Sequence, residues 1–420
     1  MVLSKPTLFV VGAGGRGTGY ARIAAREFDR AHVTAVAEPR EAYRRNMVQT
    51  HDISPENTFT DWREAVDKPQ LADAVIIATQ DAGHTEPALA FIEKGYHVLL
   101  EKPMAPTVKE CQQIVAAAKA KGVLFAVCHV LRYTAYTRQV KDIVDSGLLG
   151  DIVSIQHLEP IASWHFAHSY VRGNWRNEAE SSFMLLAKSC HDIDWICHMM
   201  DVPVKTVSSF GSLYHFRHEN QPEGATDRCL TCGVERQCPY SAKRIYQDPF
   251  EERGRVGWPT AVLAHEINRA TLMDALENGP YGRCVYASDN DVADHQVVNM
   301  EFADGRSAGF TVTAFCNAGE RQTRLFGTRG DLRGDGRNIE LRDFLTGEVR
   351  TIDTHAAAGT IVGGHGGGDQ GLINAFLDAL EKDDPSPIIS GPDATLESHT
   401  ATFAAEKSRK EHRLVEIDEM

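Results

Sequence analysis

Residues 7–11 (TLFVV) form a short apolar, β-rich run that meets Gly12-Ala13-Gly14-Gly15-Arg16-Gly17 and then a helix-like stretch over residues 20–28. No other feature narrows the possible fold as far. Gly12-x-Gly14-x-x-Gly17 between a strand and a helix is a dinucleotide-binding fingerprint: the glycines permit a tight turn and close backbone approach, and the helix N-terminus offers N–H groups and positive dipole to a pyrophosphate. Further β-rich runs at 32–37, 74–78, 97–100 and 124–127 alternate with helical patterns at 85–94 and 108–121. That alternation predicts a doubly wound parallel sheet, and residues 1–130 are assigned to one Rossmann domain.

The second run closes on Glu38, placed 21 positions beyond Gly17. A carboxylate there accepts both ribose hydroxyls and repels a 2′-phosphate, which favours NAD. Arg40, Arg44 and Arg45 stand nearby and either bind that phosphate instead or form a solvated helix face.

After residue 130 the pattern changes. A helix is predicted over 136–146, then a strand from Ile152, and a hairpin of 297–302 with 308–314 about Asp304-Gly305 that puts Val298, Met300 and Phe302 on one face. Strand-like pieces at 323–326, 339–341 and 349–352 continue a meander, and helices follow at 372–380 and 395–409. Residues 131–420 are therefore expected to form an α+β domain with a large, open, mainly antiparallel sheet.

Composition excludes several classes. With 44 basic against 58 acidic side chains the formal charge is −14, which argues against a nucleic-acid partner. No run approaches the ~18 apolar residues of a membrane span. The N-terminus reads as a strand meeting a glycine loop rather than a signal peptide. Nine cysteines, an odd number and scattered except for one cluster, point to a reducing cytoplasm.

Several short motifs, in order, carry a family resemblance: the glycine loop, Ala78-Thr79-x4-His84, Glu101-Lys102-Pro103, His129-x2-Arg132-Tyr133, Gly147-x2-Gly150, and the stretch Leu185–Asp194. Together they resemble the glucose–fructose oxidoreductase / inositol dehydrogenase (Gfo/Idh/MocA) family. The resemblance implies an NAD-binding Rossmann domain, a second domain that binds substrate and oligomerises as a homodimer or homotetramer through its open sheet, and hydride transfer at a carbinol of a sugar or cyclitol. It implies that Gly12, Gly14, Gly15, Arg16, Gly17, Glu38, Thr79, His84, Glu101 and Lys102 hold the cofactor. Lys102, just beyond a strand end, polarises a substrate oxygen. Aligning Leu185–Asp194 on the family's Asp-x-Gly-x-His-x-x-Asp pattern makes His191 the general base. The chain departs from that pattern: the usual aspartate is Ala187, and Lys188 follows it, either as a catalytic or substrate contact or as a solvent-facing side chain. An alternative within the family is an NAD-dependent glycoside hydrolase that runs a closed cycle of oxidation, elimination, hydration and reduction. A non-catalytic NAD sensor would require loss of the reactive pair, and both residues are present.

His165, His168, Tyr170, Arg172, Trp175 and Arg176 concentrate donors and aromatic faces before the histidine motif. The mixture fits a polyhydroxylated, anionic substrate, or is structural residue by residue. The stretch 289–295 (Asp289 to His295) either borders the site or forms an ordinary hydrogen-bonded loop, and His365 within 363–368 either contacts substrate or lies in a glycine turn. Cys229-x2-Cys232-x5-Cys238 has the spacing of a structural zinc loop, with Cys284 as fourth ligand and His215 or His218 as substitutes. Three buried cysteines without metal are the alternative.

Overall fold

The computed structural model describes residues 5–317, 319–355 and 365–420. Its first sheet has six parallel strands, β1 (Thr7–Val11), β2 (His32–Ala37), β3 (Thr58–Phe59), β4 (Ala74–Ile77), β5 (His97–Leu100) and β6 (Phe125–Val127), in the order β3-β2-β1-β4-β5-β6. Five of these follow the apolar runs. β3 does not: two residues pairing with the end of β2 are too short to leave a periodic signal. The sheet is covered on both faces, as a parallel sheet requires. One covering helix comes from far along the chain. Leu372, Ile373, Phe376 and Leu377 of the helix Gly368–Lys382 pack with Leu8, Val10 and Ile76 in one core. Residues 1–130 alone therefore do not close the first unit.

The second sheet has nine strands: β7 (Ile152–Ala162), β8 (Val204–Ser212), β9 (His295–Phe302), β10 (Ser307–Cys316), β11 (Gln322–Gly327), β12 (Gly330–Gly334), β13 (Asn338–Asp343), β14 (Val349–Asp353) and β15 (Val415–Glu416). They lie in the order β14-β13-β12-β11-β7-β10-β9-β8-β15, and only β7 and β10 pair parallel. The expected hairpin is present, with Gly305 at φ 87 in its turn and Val298, Met300 and Phe302 buried on one face. The helix Cys190–Met200 covers that face of β7 and β10, while Pro392–Glu411 lies over β8 and also touches the Rossmann helix Val108–Lys121. The other face is open, with Val153, Phe210 and Val297 exposed. Among the described residues no helix is long and apolar enough to cross a membrane.

Between β8 and β9 the chain leaves the sheet for an excursion over residues 213–294, which carries all four cysteines of the predicted zinc loop. It packs on the helical turns Ser163–Phe166 and Ala167–Arg172 that follow β7, through Trp258 against Trp164 and His165 and Tyr281 stacked on His168.

Candidate functional site

The cofactor cradle is built by geometry no side chain would allow. Gly12 has φ 90, and a Cβ there would sit 2.5 Å from the carbonyl oxygen of Ala78 at the end of β4. A Cβ on Gly17 would collide with the Gly12 carbonyl. The helix Gly15–Arg22 starts at Gly14 with no side-chain cap, so its first N–H groups face outward as a phosphate site needs. At the end of β2 Glu38 is buried, accepting from the Ala13 N–H at 2.8 Å and from the Arg40 N–H at 3.0 Å. The Arg40 guanidinium grips the same carboxylate at 2.7 and 2.9 Å and lies over the Tyr43 ring. Burial pushes the Glu38 pKa up, but the bonds from Arg40 and Ala13 outweigh it and hold the group below the usual carboxylate range. Arg44 donates to the Glu38 carbonyl, while Arg40, though paired with Glu38, and Arg45 are exposed.

Arg16 does not point outward. Its Nε donates to Glu101 at 2.6 Å, its terminal nitrogens to Asp369, and Tyr20 OH donates to the same Glu101 oxygen at 2.7 Å. Glu101 in turn accepts the Lys102 N–H at 2.7 Å. His84 ties the loop after β4 to the loop after β5, with ring nitrogens 2.7 Å from the Pro103 carbonyl and 3.3 Å from that of Thr79. These cofactor-side residues therefore converge on one sheet edge, beyond the C-terminal strand ends where open α/β sheets place ligands.

Lys102 reaches across to the second unit and donates to the Ala187 carbonyl at 2.6 Å. The position where the family pattern has aspartate thus meets the lysine through its backbone. His191, buried in the first turn of Cys190–Met200, stands edge-on to His129, with centroids 5.6 Å apart, and His129 stands likewise to His399 at 5.3 Å. Burial drives the His129 pKa down to about 4 and that of His399 to about 3, with Lys102 adding to both, so the histidines behind His191 are neutral. Two acids of the motif are structural anchors. Asp194 takes a two-pronged bond from Arg132 at 2.7 and 2.8 Å, and Asp192 is paired with Arg321 and His157.

Lys188 is not solvent-facing. It pairs with Glu159 at 2.9 Å, and Arg321 holds the other Glu159 oxygen at 3.1 Å. His165 lies within the field of Lys188 and Lys102; burial first, then these cations, push its pKa down to about 3. Tyr170 is buried, stacked on Phe166 and near Trp175, whose indole N–H donates to Asp81 at 3.4 Å. His168 is buried against Tyr246 and Tyr281.

Two cations of the predicted substrate cluster are engaged elsewhere. Arg176 forks onto Asp289 at 3.0 and 3.2 Å. Arg172, 1% exposed, donates to the carbonyls of Arg283 and Tyr240 and to Cys229. The stretch 289–295 is a brace: Asp289 and Asp291 hold the 176–178 turn, and Asp294 accepts the N–H groups of Tyr214 and His215. Of the glycine loop at 363–368, residues 363 and 364 and the His365 side chain lie outside the described residues. Glu159, Arg321, Asp81 and His399 carried no sequence signal, because each gains its meaning from partners distant in the chain.

The zinc cage is not formed as the spacing predicts. Among the described residues, no group of three or more His, Cys, Asp or Glu side chains is arranged to hold a metal ion. The Cys229 sulfur is turned into hydrogen bonds with Arg172 Nη2 and the Ala242 N–H, and burial raises the pKa of Cys238 and Cys284, which keeps those thiols protonated. His215 bonds Tyr286 and His218 lies on a surface turn, so neither is a substitute ligand.

Comparison with known proteins agrees with this architecture. Residues 7–129 match the profile of the oxidoreductase family with an NAD-binding Rossmann fold, and residues 137–236 match the GFO/IDH/MocA C-terminal domain. The chain belongs to the Gfo/Idh/MocA family of oxidoreductases. It is 24% identical to the oxidoreductase YteT of Bacillus subtilis over 78% of this chain and 77% of that protein. It is 26% identical to the 2,7-anhydro-N-acetylneuraminate hydratase of Escherichia coli over 54% of this chain, a match spanning 57% of that enzyme. A levoglucosan dehydrogenase, solved with NADH and levoglucosan, shares the fold with a TM-score of 0.72 at 17% identity, covering 99% of this chain and all of the other.

Proposed function

We propose that the chain is an NAD-dependent oxidoreductase acting at a ring carbinol of a sugar, sugar derivative or cyclitol, with Lys102 and His191 as its reactive pair. The observation that carries this reading is the reach of Lys102 from the cofactor edge to Ala187, one turn before His191. Bound NAD supplies the hydride acceptor. His191 takes the hydroxyl proton, and the Lys102 ammonium steadies the developing alkoxide. The neutral His129 and His399 behind His191 keep competing positive charge away from it. His165, Tyr170 and Trp175 furnish ring faces and N–H donors for a polyhydroxylated ring, while Lys188, held by Glu159, supplies a cation beside it. Named relatives include a levoglucosan dehydrogenase, a 1,5-anhydro-D-fructose reductase and a scyllo-inositol 2-dehydrogenase, which supports a cyclic polyol.

A second reading, redox-neutral cleavage of a glycosidic or anhydro bond, is favoured by the hydratase relatives and by the Lys188–Glu159–Arg321 cluster, which offers additional acid/base groups. A panel of free sugars and chromogenic glycosides separates the two. NADH accumulating in step with a ketone is expected. Aglycone release that needs NAD yet gives no net NADH supports the second reading, and neither response to any compound overturns both.

Glu38 is proposed to select NAD. Wild type is expected to bind NAD more tightly than NADP by calorimetry, and Glu38→Ala to weaken NAD about 10–100-fold, the loss of bonds to a charged acceptor. Tighter binding of NADP by wild type would make Arg40 the specificity residue and remove Glu38 from that role.

The open face of the second sheet, with Phe210 63% and Val153 51% exposed, is proposed as the contact of a homodimer or homotetramer. Nine free thiols suit a cytoplasmic protein.

A further inference from the structure

One stretch of the excursion touches both ends of the cofactor edge. Residues 255–268 run between two short helices that pack on the core of the second unit. Asp248–Arg253 ends at Gly254 with φ 61, and Arg269–Glu277 is capped by Asn268, which accepts the Ala270 and Thr271 N–H groups. The stretch between them is largely exposed. Near its start Trp258 packs on the wall beside the proposed reactive pair, with ring centroids 5.2 Å from Trp164, 4.9 Å from His165 and 5.6 Å from His168. That wall lies in the field of Lys102 and Lys188. Near its end His265 meets Tyr43 of the Rossmann helix Glu41–His51, with ring centroids 5.3 Å apart. Tyr43 also carries the Arg40 guanidinium, 3.9 Å from its ring centre. Arg40 grips Glu38 and passes 3.6 Å from the place a Cβ on Gly14 would take. The line from Lys102 to Glu38 follows the strand ends, where a bound dinucleotide extends. Residues 258–265 join the same two ends from the opposite wall.

We propose that residues 255–268 are a strap over the bound dinucleotide, latched at its adenosine end by His265 on Tyr43, and that release of NAD(H) waits on this latch. This rests on the NAD reading above and extends it to residues outside the glycine loop and the strand ends. The argument is one of exit. Glu38, the glycine loop and Lys102 hold the cofactor from the Rossmann side, and with no other cover it leaves as soon as those contacts break. A strap tied to both units must first part from one of them. The Tyr43 contact is the one to part, since it is a single ring pair with an exposed His265, whereas Trp258 is packed among three rings. Opening of such a cover sets the release rate in many enzymes. In the dehydrogenase reading the strap opens once per turnover so that NADH is exchanged for NAD. In the redox-neutral reading the hydride returns to the product and the strap stays shut.

The test uses the full-length protein loaded with NADH. Dissociation is timed by a stopped-flow chase with excess NAD, following the fluorescence of bound NADH, and cover is read from iodide quenching of the same fluorescence. Wild type, His265→Ala, His265→Phe and Tyr43→Leu are compared, with the thermal unfolding of each cofactor-free protein measured alongside. His265 is exposed, so its replacement spares the core. His265→Ala is expected to release NADH about 3–10-fold faster, the size of one aromatic contact, and to leave it more open to iodide. His265→Phe should restore both readouts. Tyr43→Leu should match His265→Ala, and the double variant should be no faster than either, because each change breaks the same contact. No NADH binding by wild type overturns the NAD reading and the strap together. Normal binding with release unchanged in His265→Ala leaves the NAD reading standing and removes the strap. A lowered unfolding temperature without faster release makes the ring pair a tie between the units and overturns the latch. Equally fast release from His265→Ala and His265→Phe overturns it too, as does a double variant in which the two effects multiply.

Discussion

Lys102→Met and His191→Asn are each expected to lower turnover about 10²–10⁴-fold while leaving NAD bound. The expectation follows from where each side chain acts. Lys102 is anchored by its main chain to Glu101 and extends its ammonium to the Ala187 carbonyl, so methionine removes the charge while the Glu101–Arg16–Tyr20 network that shapes the cradle stays in place. His191 sits in the first turn of its helix, behind which Asp192 and Asp194 are held by Arg321 and Arg132; asparagine removes the base without disturbing those anchors. In the proposed mechanism the two groups act on one oxygen, so proton removal and charge stabilisation belong to one event, and the double variant should be little worse than the poorer single one. Calorimetry for NAD and turnover on the responsive sugar check this. Turnover within about threefold of wild type in the double variant would exclude both residues from the chemistry, in the dehydrogenase and in the redox-neutral reading alike.

How far the sequence reveals this site depends on the distance over which each residue finds its partner. The glycine loop, β1 and Glu38 are neighbours along the chain, and both the fold of the first unit and its cofactor edge are legible from them. Lys102 and His191 are legible as family motifs, although Ala187 in place of the motif aspartate hides the contact actually made, which is to a carbonyl. Glu159 reads as one polar residue in a strand; only the fold brings Lys188 to one of its oxygens and Arg321 to the other. Arg172 misleads for a physical reason: a cation between histidines and aromatics suggests a carbohydrate contact, but at the end of Ala167–Arg172 it faces inward, onto cysteines that arrive from residues 229–284. The excursion has little hydrophobic period of its own, because it packs ring against ring on the turns after β7, and its role was legible only as a cysteine spacing. The spacing brings the four thiols to one cavity without forming the ligand cage it suggests.

Arg132→Met is expected to cost about 3–5 kcal/mol of unfolding free energy, the penalty for leaving one member of a buried ion pair uncompensated. Arg132 and Asp194 are both almost fully buried and joined by two bonds at 2.7 and 2.8 Å; Arg132 also donates to the Ile389 carbonyl at 2.7 Å, and Ser398 donates to Asp194 at 2.9 Å. Burial raises the Asp194 pKa, but Arg132 and His129 more than reverse this and bring it down to about 2. A folded-state pKa below the unfolded value means that the carboxylate stabilises the fold above the ordinary carboxylate range, and that this contribution is lost as pH falls from about 4 toward 2. Without Arg132 the balance reverts to burial: Asp194 should take up a proton at higher pH, and the acid limb of the stability profile should move upward. Replacing both residues, as Arg132→Met with Asp194→Leu, removes the orphaned charge and is expected to recover most of the loss, since an apolar pair of similar volume commonly equals a buried ion pair. Urea unfolding at neutral pH and along an acid series measures all three proteins. A single variant within about 1 kcal/mol of wild type, or a double variant no more stable than the single, would mean that the pair is not what fastens the His191 helix to the 129–133 turn and to the helix Pro392–Glu411. The expected result makes that fastening the reason His191 keeps its place between the two units.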